Sequence, residues 1–272
     1  IVLKDSVNRK VTTAGGNAFS PDGNYAIVHN DHGSYIYHLK MKQMTKMMDK
    51  GLAISDFAPD SKTFLFSTYD RKVILWDVKN NKMIRQFVDW GNREQLYIRF
   101  NQLSRDGKYA TAVFQDYERQ EGKEVIIVWD VLTGREVNKI KVQHSVFSVA
   151  LSPDGKHMLT GEFSGSDDDH EIVMREITNG KIIRRFKGHK DIISALAFSA
   201  DGKLILSGSY DQKIILWEAG SGKKIKIFAG HSGLINSLDF SFNAVNFIST
   251  SMDGTLRLWD LAAGQEIAQF IT

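Results

Sequence analysis

No cysteine occurs among the 272 residues. Disulfides, thiolate nucleophiles and Cys-ligated zinc are therefore excluded, and the chain fits a reducing, cytoplasmic compartment. Proline is scarce, at three residues, whereas glycine reaches 22. Long apolar runs are missing as well: the best membrane candidate, Val125 to Trp129, falls far short of the ~20 residues a spanning helix needs. Charge of one sign does not dominate, because 35 basic and 32 acidic residues leave +3. Nothing in that balance calls for nucleic acid or an anionic membrane. Nowhere is there sustained helical periodicity. What is present is a set of five- to eight-residue runs rich in Ile, Val, Leu and Phe, separated by turns such as Pro21-Asp22-Gly23 and Ala200-Asp201-Gly202. Such spacing predicts short strands and an all-β fold.

A period of 42 residues runs through the C-terminal half. His189 and His231, Asp211 and Asp253, and Trp217 and Trp259 are pairs at that spacing. The frame returns around Trp76, around Trp129-Asp130 and around Pro153, while the first unit, FSPDGNYAIV followed by SYIYHL, holds Tyr37 in the Trp slot. In the fourth unit that slot holds Arg175. Each of six units predicts four strands: a before the Ser-x-Asp-Gly turn, b after it, c ending at Trp-Asp, and d after the next turn. One such sheet cannot bury both faces alone, so neighbouring sheets are expected to stack radially.

With Gly188-His189, Gly230-His231 and the recurring Trp-Asp pairs in one frame, the sequence resembles the WD-repeat (WD40) β-propeller family over essentially its whole length. The resemblance implies one propeller domain over residues 1–272, with six full repeats. Residues 1–8 read as one more d strand than the abc sets require. The expectation is an extra outer strand and a seven-bladed ring whose remaining strands lie outside this sequence; the alternative is six blades, with residues 1–8 covering an edge.

Ser, His and Asp recur together and could be mistaken for a hydrolase site. The WD resemblance implies a structural role instead: Trp217 to Ser207, Ser207 to His189 and His189 to Asp211, and likewise Trp259, Ser249, His231 and Asp253. Repetition of the set at one offset argues the same way, since a unique active site has no reason to be duplicated. No Gly-x-Ser-x-Gly elbow and no phosphate-binding glycine loop is present. The second unit has Phe66 at the Ser position, the third keeps Trp129 alone, and the fourth has Thr160 and Asp169 with Arg175. No catalytic residue, no cofactor and no metal site are expected. Asp167, Asp168 and Asp169 do not form an EF-hand loop.

From the a–b turn to the Trp slot the third and fourth units are longer than the others, with the extra residues between strands b and c. The insertions, residues 115–124 and 163–171, carry Asp116, Glu118, Glu121, Glu124, Asp167, Asp168, Asp169 and Glu171 against Arg119 and Lys123. By the family resemblance these loops lie on the top face, where an acidic rim would steer a basic partner segment. Tyr69, Tyr210 and Met252 precede the b–c aspartates, or their positions, and are candidate interface anchors. Lys181, Arg184, Arg185 and Lys187 read as solvated outer edges. The expected function is a protein- or peptide-binding scaffold without nucleic-acid contact or membrane insertion; the alternative is a regulatory module of a larger enzyme or signalling protein.

Overall fold

The computed structural model describes residues 3–4, 10–13, 19–30, 33–49, 52–89, 96–116, 124–166, 170–241 and 243–271. Among these, every regular element is a β-strand, and the strands form six antiparallel sheets in chain order. The first sheet contains β1 (Leu3–Lys4), β2 (Lys10–Thr13), β3 (Tyr25–Asn30), β4 (Gly33–His38) and β5 (Gln43–Met48). The second runs β6 (Leu52–Phe57), β7 (Thr63–Thr68), β8 (Lys72–Asp77), β9 (Lys82–Asp89). The third runs β10 (Leu96–Leu103), β11 (Tyr109–Asp116), β12 (Glu124–Asp130), β13 (Glu136–Val142). The fourth runs β14 (Ser145–Leu151), β15 (His157–Phe163), β16 (His170–Glu176), β17 (Ile182–Lys187). The fifth is β18 (Ile193–Phe198), β19 (Leu204–Ser209), β20 (Ile214–Glu218) and β21 (Lys224–Phe228). The sixth is β22 (Ile235–Phe240), β23 (Asn246–Ser251), β24 (Thr255–Asp260) and β25 (Glu266–Ile271). Six sheets in the a-b-c-d order are consistent with the blades of a WD40 propeller.

One expectation is corrected. Leu3 and Lys4 pair with Val11 and Lys10, on the edge of the first sheet beside its own first strand. The described part of residues 1–8 is therefore not an outer d strand. Its partner lies a few residues along the chain, so the loop to be closed is short and the pairing is the cheapest available in entropy. The argument for a seventh blade drawn from this segment loses its footing.

The a–b turns show why the repeat is spelled Ser-x-Asp-Gly. The hydroxyls of Ser20, Ser104, Ser152 and Ser199 each donate to the aspartate two residues on, at 2.5–2.7 Å. Each of those serines also accepts the backbone N–H five residues on at 2.9 Å. Gly202 closes its turn at φ 71°, whereas in the sixth sheet Ala244 adopts φ 50° at the same point. A side chain in that region is strained.

Chain contacts divide the molecule into two compact units, residues 1–120 with 125–139 and residues 121–124 with 140–272. Within the second unit the alternation of strand side chains builds two layers of core. Ile205, Ile215 and Trp217 of the fifth sheet face Leu159, Ile172 and Met174 of the fourth. Their neighbours Leu206, Ile214 and Leu216 face Ile235, Phe247 and Trp259 of the sixth. Sheets that are apolar on both faces must be covered on both, which the two-residue period of a strand permits. The first unit repeats the scheme. Phe64, Phe66 and Trp76 pack on Ile27 and Ile36, and Leu65, Val73 and Leu75 pack on Ala110, Phe114 and Trp129.

A second device ties consecutive sheets together. Nine residues after the Trp slot, a cation on strand d reaches the c–d turn of the next sheet. Arg85 donates to the carbonyls of Leu132 and Thr133 at 3.0 and 3.2 Å, and Arg184 to those of Gly220 and Ser221 at 2.7 Å. Lys226 does the same to Ala262 at 2.6 Å. The receiving turns end in Gly222 and Gly264, with φ 78° and 76°, and a Cβ there would come within 2.7 and 2.6 Å of the clasping side chain. Arg184, expected in a solvated edge, is thus part of the fold. Arg185 and Lys187 also pair with the buried Glu171.

Candidate functional site

The fifth and sixth sheets present their b–c turns on backbones pinned from beneath. Trp217 Nε1 donates to Ser207 Oγ at 2.8 Å, Ser207 Oγ lies 2.8 Å from His189 Nε2, and His189 Nδ1 lies 2.9 Å from Asp211 Oδ2. In the sixth sheet Trp259, Ser249, His231 and Asp253 repeat these contacts at 2.8, 2.7 and 2.8 Å. With a ring proton on Nδ1 the chain runs indole N–H to serine, serine O–H to Nε2 and Nδ1–H to carboxylate. The serine hydroxyl is then committed at both ends and buried. A free nucleophile needs neither condition.

Both carboxylates titrate below their ordinary range. Burial alone would raise the Asp211 carboxyl, but the His189 hydrogen bond and charge and the backbone N–H groups of Lys190 and Lys213 outweigh it, leaving it at about 2. For Asp253 burial is likewise the largest single influence, and it is overcome by hydrogen bonds from Thr255, His231 and the Ser232 backbone.

The turns that these networks hold carry the candidate anchors. The N–H of Tyr210 donates to the Ile192 carbonyl, and that of Met252 to the Leu234 carbonyl, both at 2.9 Å. Ser209 and Ser251 accept the following aspartate N–H at 3.0 and 3.1 Å. The side chains differ in exposure: Met252 is 68% exposed, whereas Tyr210 is partly buried. In the second sheet Tyr69 sits at the same turn position and is 73% exposed. The insertion acids are placed less fully. Glu118, Glu121, Asp167, Asp168 and Asp169 lie outside the described residues, as does the side chain of Asp116. Glu124 and Glu171 are described, and both are buried strand residues rather than loop charges. The expected acidic rim loses those two members.

The other sheets replace the quartet with different chemistry. In the second, Phe66 fills the serine position and packs on Trp76 at a centroid distance of 6.1 Å. The Trp76 N–H turns instead to Asn81 Oδ1 at 3.2 Å. In the fourth, Arg175 enters the Trp slot and donates to Thr160 Oγ1 at 2.7 Å and to Glu162. Thr160, Glu162 and Arg175 are all buried, and His144 Nδ1 lies 3.7 Å from Glu162. Nothing in the motif flagged Glu162, since its position is Ser209 in the fifth sheet.

Elsewhere in the second unit a groove of about 450 Å³ opens beside the a–b turns of the fourth and fifth sheets. Its two carboxylates, Asp154 and Asp201, are already engaged by Ser152 and Ser199. Among the described residues no group of three or more His, Asp or Glu is arranged to hold a metal ion. No described helix is long and apolar enough to cross a membrane.

Comparison with known proteins agrees with the repeat. The family model "WD domain, G-beta repeat" (WD40) matches residues 135–172, 180–218 and 222–260. Similar curated proteins include telomerase protein component 1 of Rattus norvegicus, 28% identical over 71% of this chain and 7% of its own length. The eukaryotic translation initiation factor 3 subunit I of Drosophila grimshawi is 31% identical over 61% of this chain and 50% of that protein. WD repeat-containing protein 18 of Danio rerio is 19% identical over 78% of this chain and 52% of that protein. The chain therefore spans about half the length of two of these relatives and a small fraction of the third.

Proposed function

The chain belongs to the WD40-repeat family, and we propose that it is a non-catalytic platform, one domain working in the cytoplasm, that docks a protein or peptide on its b–c turns. One observation carries the reading: Met252 is exposed and Tyr210 partly accessible on turns whose backbones are fixed by hydrogen bonds to the neighbouring d–a loops and to buried networks. Aromatic and Met side chains are favoured interface anchors. A surface already held in place loses little conformational freedom on binding. Tyr69 offers the same chemistry from the second sheet. The insertion acids Asp116, Glu118, Asp167, Asp168 and Asp169 supply the charge that draws in a basic segment.

The test is capture of partners by the wild-type chain and by variants, followed by association kinetics at two salt concentrations. Tyr210→Ala and Tyr69→Ala should each weaken binding by about 2 kcal/mol where they act as central anchors. Neutralising Asp167, Asp168 and Asp169 should slow association instead, with the effect fading as salt rises. Retention of every partner by all of these variants, with loss on Lys181→Glu in the outer region of the fourth sheet, would move the site elsewhere. A second reading, a regulatory module within a larger enzyme or signalling protein, draws on the relatives' greater length.

A further inference from the structure

At the c–d turn of the fifth sheet one side chain is smaller than its counterpart in every other sheet. The residue two after the Trp slot donates its N–H to the carbonyl just before strand b, at 2.8–3.0 Å in all six sheets. That residue is Leu39, Val78, Val131, Ile177 or Leu261 elsewhere, and Ala219 in the fifth. Val78, Val131 and Leu261 each pack into the core shared with the preceding sheet. Ala219 faces the core shared with the fourth sheet in the same way, but brings a single methyl group. The space it leaves belongs to the groove of about 450 Å³, which Pro153, Met174, Phe198 and Ala219 line with apolar surface.

The junction of the fifth and sixth sheets shows what fills such a place. There Leu261 is buried, and Leu204 packs against the same core. At the junction of the fourth and fifth, His157 stands in the position of Leu204 and also lines the groove. The remaining charged lining is Asp154 and Asp201. Each uses Oδ1 for its turn serine and for a backbone N–H. Oδ2 of each faces an exposed lysine of its own turn, Lys156 at 3.9 Å and Lys203 at 3.6 Å. Ion pairs that long between solvent-facing side chains contribute little, so a bound cation can displace them.

We propose that this groove binds a peptide segment of a partner protein in which a bulky aliphatic side chain stands beside a cationic one. The aliphatic group lies over Met174 and Phe198, in the space that Leu261 fills at the next junction. The cationic group lies against Asp154 and Asp201. Apolar burial supplies the affinity, and the two carboxylates select the sign of the neighbouring charge. Strand b runs from the a–b turn to the b–c turn, so the groove lies at the opposite end of the sheet from Tyr210. Its occupancy is therefore independent of the turns assigned to partner docking above.

Met174 supplies the experiment, because its methyl group lines the groove and can be followed by NMR in isotope-labelled protein, with Met174→Leu to assign the signal. The probes are acetylated peptide amides, Ser-Leu-Arg-Ser, Ser-Leu-Glu-Ser and Ser-Gly-Arg-Ser. The first should shift the Met174 methyl signal saturably, and the other two should bind about tenfold more weakly. Ala219→Leu copies Leu261 of the sixth sheet. It should raise the urea midpoint by filling the groove and weaken Ser-Leu-Arg-Ser about tenfold or more. Asp154→Asn with Asp201→Asn copies Asn243, which accepts the Ser241 hydroxyl at 2.9 Å. That variant keeps the turns and should erase the preference for Arg over Glu. A Met174 signal that no peptide moves, equal binding of the Arg and Glu peptides, or undiminished binding by Ala219→Leu overturns the proposal. A signal that moves with protein concentration alone also overturns it, by assigning the groove to a second copy.

Discussion

In the fifth sheet the strand-c slot holds Trp217, whose N–H enters a chain of side-chain hydrogen bonds ending on Asp211. In the fourth the same slot holds Arg175, whose guanidinium ends on Thr160 and a buried Glu162. Both arrangements join strand c to strand b across one sheet. They differ in where the charge sits. The fifth sheet carries its anion out to the turn, where backbone N–H groups of Lys190 and Lys213 share it. The fourth keeps both charges inside, beneath a longer b–c connection. The comparison teaches that this repeat needs a satisfied cross-strand link and does not need one particular chemistry for it. Only the fifth sheet's version reaches out to fix the turn.

The largest expected effects separate the two chemistries. Arg175→Ala should destabilise the protein by about 3–5 kcal/mol, because Glu162 would be left buried without its counter-ion. Replacing both partners, Arg175→Met with Glu162→Leu, should cost far less, since an apolar pair of similar volume removes the desolvation penalty as well. Urea unfolding of the single and double variants measures the gap; equal losses would show that charge is not what the fourth sheet depends on. Trp217→Ala should also cost roughly 3–5 kcal/mol, through loss of a large buried aromatic. No second substitution at Ser207 should recover that loss.

Acid sharpens the contrast. A carboxyl whose folded pKa is depressed contributes stability above its unfolded value and loses it as pH falls through the folded one. For Asp211 the window runs from the ordinary 3.8 down to about 2. The contribution is about 1–2 kcal/mol once solvent screening is allowed for. Asp211→Asn should therefore lower stability at pH 7 and flatten its fall between pH 4 and 2, as followed by urea midpoints across that range. A variant as acid-sensitive as the wild type would remove the carboxylate from the account. Smallest of all, Ala244→Gly should raise stability by about 0.5–1 kcal/mol by relieving a left-handed alanine that Gly202 avoids in the fifth sheet.

Much of the comparison was legible in the sequence. The 42-residue spacing put His, Ser, Asp and Trp at fixed offsets, and repetition of a hydrogen-bonded set leaves a mark that a single contact does not. Arg175 was visible as a departure, but its partner was not: Glu162 lies where the motif carries no information, and only the pairing of β15 with β16 brings the two together. The clasps of Arg85, Arg184 and Lys226 were hidden differently. A cation on an outer strand looks solvated until the next sheet's turn is seen beneath it. Glu124 and Glu171 were assigned to loops because strand ends are the hardest limits to read from a pattern, and their burial follows from a shift of a few residues. The placement of Leu3 and Lys4 turned on a local pairing that a count of strands cannot distinguish from an outer one.

The claim that the Ser–His–Asp sets hold the turns rather than catalyse is tested most directly by Ser207→Ala. The variant leaves the Trp217 N–H and His189 Nε2 without their shared partner in a buried position, so urea unfolding should show a loss of about 1–3 kcal/mol. Unchanged stability, together with loss of a hydrolytic activity that the wild type possesses, would contradict the account.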